Sequence, residues 1–331
     1  PAATVDGNEL VVTYSIGKED IAVSRFAIPQ FADAPKGSQL LVASAHGQRI
    51  TRFDGPTGRF VDHFSTDAKT NALNTPVALT LGPDGMLYVA NRGNNQVLRY
   101  NPNSGEMLGV FVDGQGLDAP AGLAFTPAGD LLVSNRHGNN VLRFAGPSAS
   151  TPGQDKGTLV SAGDGGLDGA FNMAQRNGDL FVSSFDNDKV LRYDAQSGDF
   201  KNVFAEGDPL VRPQGLLFED NGNLLVVSSG SNDVLRYGPD GSLLDTFVDG
   251  EGRLNSPNDL AFGPDGDLYV SSRLDQQVLR FDGQTGKFKS VFAYGAAMQT
   301  TTGIVFTPIP EPASLSLIGL GLIGLMGRPR R

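Results

Sequence analysis

Leu87-Tyr88-Val89-Ala90-Asn91-Arg92-Gly93-Asn94-Asn95-Gln96-Val97-Leu98-Arg99-Tyr100 decides the fold. An apolar run, a polar turn rich in Gly and Asn, and a second apolar run closing on an aromatic ring spell a β-hairpin. The second half recurs as Val141-Leu142-Arg143-Phe144, Val190-Leu191-Arg192-Tyr193, Val234-Leu235-Arg236-Tyr237 and Val278-Leu279-Arg280-Phe281, with Ile50-Thr51-Arg52-Phe53 as a looser copy. The arginines Arg52, Arg99, Arg143, Arg192, Arg236 and Arg280 are spaced by 47, 44, 49, 44 and 44 residues. A period of that length marks a repeat architecture.

Working outward, each hairpin is followed by a turn such as Asn103-Ser104-Gly105, a short apolar run and a longer acidic loop. Then comes Pro-x-Gly-Leu-x-Phe, as at Pro120-Ala121-Gly122-Leu123-Ala124-Phe125. Four short strands per unit, lettered a to d from the Pro-x-Gly-Leu strand, make one propeller blade. The first full hairpin, Leu40 through Phe53, lacks an a strand before it, while Thr302-Gly303-Ile304-Val305-Phe306 is an a strand with nothing after it. Pairing the two closes the ring and hides two open sheet edges. The expectation is an all-β, six-bladed β-propeller over 37–308, closed by its C-terminal inner strand. Residues 1–36 imitate a hairpin, but Arg25 precedes Arg52 by 27 residues, too few for a seventh blade. They are expected to form an N-terminal extension or degenerate hairpin packed at one edge.

Composition narrows the function classes. Glycine at 43 residues of 331 is nearly twice its average usage of about 7%, which fits a turn-rich repeat. Cysteine is absent, removing disulfides, thiolate metal sites and cysteine nucleophiles. The formal charge is −10; without Glu311, Arg328, Arg330 and Arg331 the remainder carries 35 acids against 23 bases, −12. So acidic a body repels phosphate backbones, and no nucleic-acid partner is expected. The sequence starts at Pro1, so its lack of a leader says nothing about compartment.

The tail is a different physical object. Residues 313–327 are uncharged and mostly apolar, and Arg328, Pro329, Arg330 and Arg331 follow at once. As a hydrophobic helix the stretch would reach about 22 Å, against a hydrocarbon core of about 30 Å. The basic end favours a cytoplasmic C-terminus, with the propeller across the membrane. A disordered apolar tail or a buried helix is the alternative.

Ile309-Pro310-Glu311-Pro312-Ala313-Ser314, followed by the apolar run and the arginine-rich end, resembles the PEP-CTERM sorting signal of Gram-negative bacteria. The resemblance implies a protein made with a leader, exported, recognised by an exosortase near Pro310-Glu311-Pro312 and delivered outside the cell, commonly alongside exopolysaccharide. Residues 309–331 are therefore read as a sorting and membrane segment, with the membrane as a partner at least transiently. Pro310 and Pro312 keep the backbone extended, which suits a site that a processing enzyme must reach. The repeats resemble NHL and virginiamycin B lyase-like propellers, and in part the gluconolactonase and regucalcin group. That resemblance carries the fold rather than an activity.

In this strand order the b–c turns and d–a loops share one face, onto which the central channel opens. The position just past strand b reads Ala45, Arg92, Arg136, Phe185, Ser229 and Arg273, preceded by Ser44, Asn91, Asn135, Ser184, Ser228 and Ser272. Arg92, Arg136 and Arg273, with Asn91, Asn135, Gln214, Asn258 and Asp259, are the candidate ligand-binding face. Three arginines at one mouth could receive a carboxylate or an acidic or sulfated sugar; the alternative is that they neutralise the acidic d–a loops. The Asn/Asp-rich b–c turns read as turn formers, and the c-strand arginines as structural, pairing with nearby Asp. His46, His63 and His137 fall in separate contexts and read as exposed polar residues.

For chemistry, Ser256-Pro257-Asn258-Asp259-Leu260 resembles an Asn-bearing segment of the gluconolactonase group, which would imply Ca²⁺ or another divalent ion near Asn258 and Asp259. The virginiamycin B lyase resemblance would require a histidine after the strand-a proline, and Val77, Ala121, Gln214, Asn258 and Thr302 stand there instead. No catalytic residue, cofactor or metal site is assigned. The reading is an exported, non-catalytic binding module whose partner is a polysaccharide or surface protein; a secreted metal-dependent lactonase or lyase is its rival.

Overall fold

Six four-stranded antiparallel sheets surround a common axis in the computed structural model, which describes residues 2–6, 9–16, 20–27, 37–65, 72–250, 252–295 and 298–308. Blade 1 combines Ser38–Ser44, Arg49–Asp54 and Phe60–His63 with the closing strand Thr301–Pro308. Blade 2 runs Pro76–Leu81, Leu87–Asn91, Gln96–Tyr100 and Met107–Asp113, and blades 3 to 6 begin at Pro120, Ala170, Pro213 and Pro257. The six a strands touch one another in cyclic order. The expected closure is present: Ile304 pairs with Val42, Val305 with Leu41 and Phe306 with Leu40.

Burial falls from axis to rim. Every b strand is wholly buried, because blades cover both of its faces, and its continuous Leu/Val content follows from that. The c strands alternate and present the arginine at a partly exposed position. The d strands are largely exposed, as in Leu243–Val248. Six apolar clusters form, each joining two adjacent blades, so no blade owns a core by itself. This is the physical reason that the ring must close.

The blades also alternate, which the simple 44-residue period conceals. At three interfaces an aromatic on strand b of an even blade meets the next blade edge-on: Tyr88 with Phe125 at 4.9 Å, Phe181 with Phe218 at 5.1 Å and Tyr269 with Phe306 at 4.8 Å. At the other three, glycines let inner strands approach closely. A Cβ on Gly122 would stand 2.5 Å from the Phe171 carbonyl oxygen, one on Gly215 3.1 Å from that of Asn258, and one on Gly303 2.8 Å from that of Val77. Gly122→Ala is therefore expected to push blades 3 and 4 apart, costing about 1–3 kcal/mol and lowering the thermal midpoint by several degrees. An unchanged midpoint would show that this approach is slack.

Ala2–Asp6, Glu9–Ile16 and Asp20–Ala27 form a separate three-stranded antiparallel sheet that is not hydrogen-bonded into any blade. The sequence suggested two strands there; the structure has three. The expected helical tail lies outside the described residues.

Candidate functional site: the channel mouth

The mouth is built by turn chemistry repeated six times. The residue before each a strand is left-handed: Thr75, Ala119, Gly169, Arg212, Ser256 and Thr300, with φ between 51° and 72°. For a residue other than glycine that conformation costs about 1–3 kcal/mol. In four blades the b–c turn behind holds it, since the backbone N–H of Ala119, Gly169, Arg212 and Ser256 donates to Asn95, Asn139, Asp188 and Asn232 at 2.9, 2.7, 2.6 and 2.7 Å. The Asn/Asp-rich turns are thus turn formers, as expected, and also inter-blade latches.

A second latch corrects the sequence reading of Asn91 and Asn135. Both are fully buried rather than on the ligand face. Their side-chain oxygens accept from the d–a loop N–H groups of Asn74 at 2.6 Å and Asp118 at 3.2 Å. The serines at equivalent positions, Ser44, Ser184, Ser228 and Ser272, hold Gln299, Asp168, Val211 and Asn255 in the same way. A short polar side chain is required at the end of strand b to satisfy a loop amide that would otherwise be buried unpaired.

Each a strand then carries a β-bulge within its first residues. A bulge re-aims side chains, and Val77, Phe171, Gln214, Asn258 and Thr302, each one residue into its strand, line one cavity at the mouth. The cavity measures about 140 Å³, and Arg92, Arg136 and Arg273 line it together with Phe185, Ala45, His46, Thr75 and Thr300. The three arginines, distant in sequence, are therefore brought together. Phe171 and Phe185 stack at 5.6 Å, Arg92 lies 5.5 Å over the Phe171 ring and Arg136 4.3 Å over Phe185.

Neutralisation is slight. Arg136 reaches Asp186 at 3.3 Å, on the b–c turn of blade 4 rather than on the acidic d–a loops. Among the described residues Arg92 and Arg273 have no ion pair, and Nε and Nη2 of Arg92 are buried without an acceptor. Burial, followed by the neighbouring charges of Arg136 and Arg273, pulls the Arg92 guanidinium down to about 10, and burial with Arg136 lowers Arg273. Both remain cations at neutral pH, held at an electrostatic cost.

Gln214 and Asn258 sit at the cavity wall, the Asn258 amide donating to the Gln214 carbonyl oxygen. Asp259 lies apart from them. Its carboxylate accepts from the Ile304 N–H at 3.1 Å and from the Asn172 amide at 3.4 Å, among the inner strands. Burial raises it to about 6 against the backbone hydrogen bonds from Ile304 and Leu260. Among the described residues no group of three or more His, Cys, Asp or Glu could hold a metal ion, so Asp259 belongs to no such group. Among the expected polar histidines, His46 lines the mouth and bonds Thr300 at 2.8 Å, while His63 and His137 are exposed elsewhere.

The c-strand arginines serve the opposite face. Arg143 and Lys156 share Asp130 at 2.8 and 2.6 Å; Arg280 and Lys289 share Asp267, each at 2.6 Å; Arg192 and Lys201 share Asp179. Burial raises the Asp130 and Asp179 carboxyls, and their cationic partners more than reverse it, leaving both below the ordinary range.

Phe171 was missed by sequence reasoning, because blade 4 opens on Ala170-Phe171-Asn172-Met173 instead of Pro-x-Gly-Leu. The signal was present one step earlier, in Leu167-Asp168-Gly169-Ala170 matching Leu117-Asp118-Ala119-Pro120.

Comparison with known proteins bears on the tail and the fold separately. Residues 308–331 match the family described as the PEP-CTERM protein-sorting motif. This chain carries a PEP-CTERM sorting motif. The motif spans Pro310, Glu311, Pro312, Arg328, Arg330 and Arg331, all outside the described residues, and implies export with recognition by exosortase-type machinery. No curated protein matches this chain. Among solved structures, it is similar to one described as a nidogen/laminin complex, at 19% identity and TM-score 0.64, over 82% of this chain and 98% of that one. It is also similar to a catalytically inactive virginiamycin B lyase from Staphylococcus aureus with quinupristin, at 16% identity and TM-score 0.56, over 83% and 89%. A protein of unknown function from Bacteroides caccae matches at 14% identity and TM-score 0.63, over 83% and 100%. At such identities the likeness shows the propeller fold alone.

Proposed function

We propose that this PEP-CTERM propeller is a non-catalytic binding module of the cell surface or exopolysaccharide matrix, contacting a polysaccharide or a surface protein through its channel mouth. The observation that carries the reading is the gathering of Arg92, Arg136 and Arg273 around one cavity of an otherwise acidic molecule, with little carboxylate to neutralise them. Recognition needs preorganised, underused polar groups, and the latched turns hold these in place. The sorting motif supports a destination where such partners are found.

The full chain, immobilised and washed with solubilised extracellular matrix, is expected to retain a polysaccharide or surface protein and to release it at high salt. No retention, together with chelator-sensitive turnover of a lactone, would replace this reading by the metal-dependent enzyme centred on Asn258 and Asp259.

A further inference from the structure

The cavity divides chemically. Arg92 and Arg136 on their stacked phenylalanine shelf, with Arg273, supply cationic character, whereas Gln214, Asn258, Thr300 and Thr302 supply neutral amide and hydroxyl groups from blades 5, 6 and 1, the Thr302 hydroxyl donating to the Ala43 and Pro76 carbonyls and so left to accept. The shelf limits the freedom of two long side chains, so less entropy is lost when they take an anion. A volume near 140 Å³ falls below the roughly 300–1,000 Å³ of sites that enclose drug-sized ligands. It accommodates one residue or a chain end, not a threaded polymer.

Resting on the binding-module reading and extending it, we infer that the channel mouth takes a single acidic sugar residue, its oxyanion among Arg92, Arg136 and Arg273 and its hydroxyls toward Gln214, Asn258, Thr300 and Thr302. The anion supplies the countercharge that the protein leaves out. Carboxylate and sulfate ester share this chemistry, and a guanidinium fork serves either. The neutral wall favours a sugar over a bare ion, because sugar hydroxyls both donate and accept, as Nε2 of Gln214 and Oδ1 of Asn258, each free among the described residues, require.

The test is calorimetric titration of the full chain with digalacturonate, its methyl ester, a sulfated disaccharide and sodium sulfate. Digalacturonate or the sulfated disaccharide is expected to bind at least about tenfold more tightly than the methyl ester, and whichever does so identifies the source of the oxyanion. Arg92→Met and Arg273→Met are each expected to weaken that binding about tenfold or more. Thermal unfolding guards against misfolded variants: the saccharide should raise the midpoint of the wild type and leave that of Arg92→Met unmoved. If neither digalacturonate nor the sulfated disaccharide binds more tightly than the methyl ester, the inference is overturned while the binding-module reading stays intact, and sulfate binding as tightly as any sugar overturns the sugar assignment. Failure of every saccharide, with matrix material still retained, sinks the inference alone; failure of both sinks the two together.

Discussion

A chain ending at Thr300 is expected to show no cooperative unfolding transition at the midpoint of the full protein, whereas a chain ending at Pro308 keeps it. The eight residues between them are the inner strand of blade 1. Their loss unpairs Leu40, Leu41 and Val42, strips Ile304 from one inter-blade cluster and removes the Phe306 ring from Tyr269. Each lost ladder bond is worth about 1 kcal/mol and a buried Ile about 1.5–3 kcal/mol. With several ladder bonds, the one buried Ile304 and the Phe306–Tyr269 contact, the sum reaches the order of a typical domain's whole stability, about 5–15 kcal/mol. Pro308 pairs with Ser38 across the strand ends, so a permutant that carries 301–308 ahead of Ser38 through a short linker should recover the transition. Calorimetry on the three chains decides it; a wild-type midpoint for the chain ending at Thr300 would mean that the seam contributes nothing.

The second large effect concerns Asp259, and its sign depends on pH. The folded carboxyl is raised to about 6, mainly by burial, so it binds its proton more tightly than the unfolded chain does. Between about pH 4 and pH 6 the native state carries the extra proton, and its stability falls as pH rises. The stabilising share is thus complete below about pH 4 and gone above about pH 6, a swing on the order of 3 kcal/mol for a shift of about two units. Asp259→Asn has no charge to bury. The variant is expected to melt several degrees above the wild type at pH 7–8 and to lose that advantage by pH 4, where the wild-type carboxyl is neutral as well. Parallel melting curves across pH for both proteins would remove the assignment of this carboxyl as an acid held above its ordinary range by its surroundings.

Much of the architecture was legible because the repeat writes the same physics six times. A run such as Leu131-Leu132-Val133 can only be buried on both faces, and the unpaired Thr302-Gly303-Ile304 segment has one edge left to join. The arginine trio was equally readable, since Arg92, Arg136 and Arg273 follow strand b at one register and strand ends share a face of the disc. What stayed hidden depends on geometry within a residue or two. Whether Phe171 or Gln214 faces the channel is set by a bulge that no alternation pattern records. Asn91 and Asn135 carry polar groups that bind equally well outward to a ligand or inward to a loop amide, and the inward partners Asn74 and Asp118 lie 17 residues away. The alternation of blades escaped because it is carried by a few positions, Tyr88, Phe181 and Tyr269 against Gly122, Gly215 and Gly303, scattered through a stronger common pattern.

The direction of the closing strand sets how the disc is hung. Thr300 and Thr302 stand at the arginine cavity, and the strand then crosses the whole thickness of the disc to Pro308, beside Ser38 on the opposite face. The sorting motif begins where that crossing finishes. The tail therefore departs from the face of the disc opposite the cationic bowl, and a grip on it leaves that bowl unobstructed by its own attachment point.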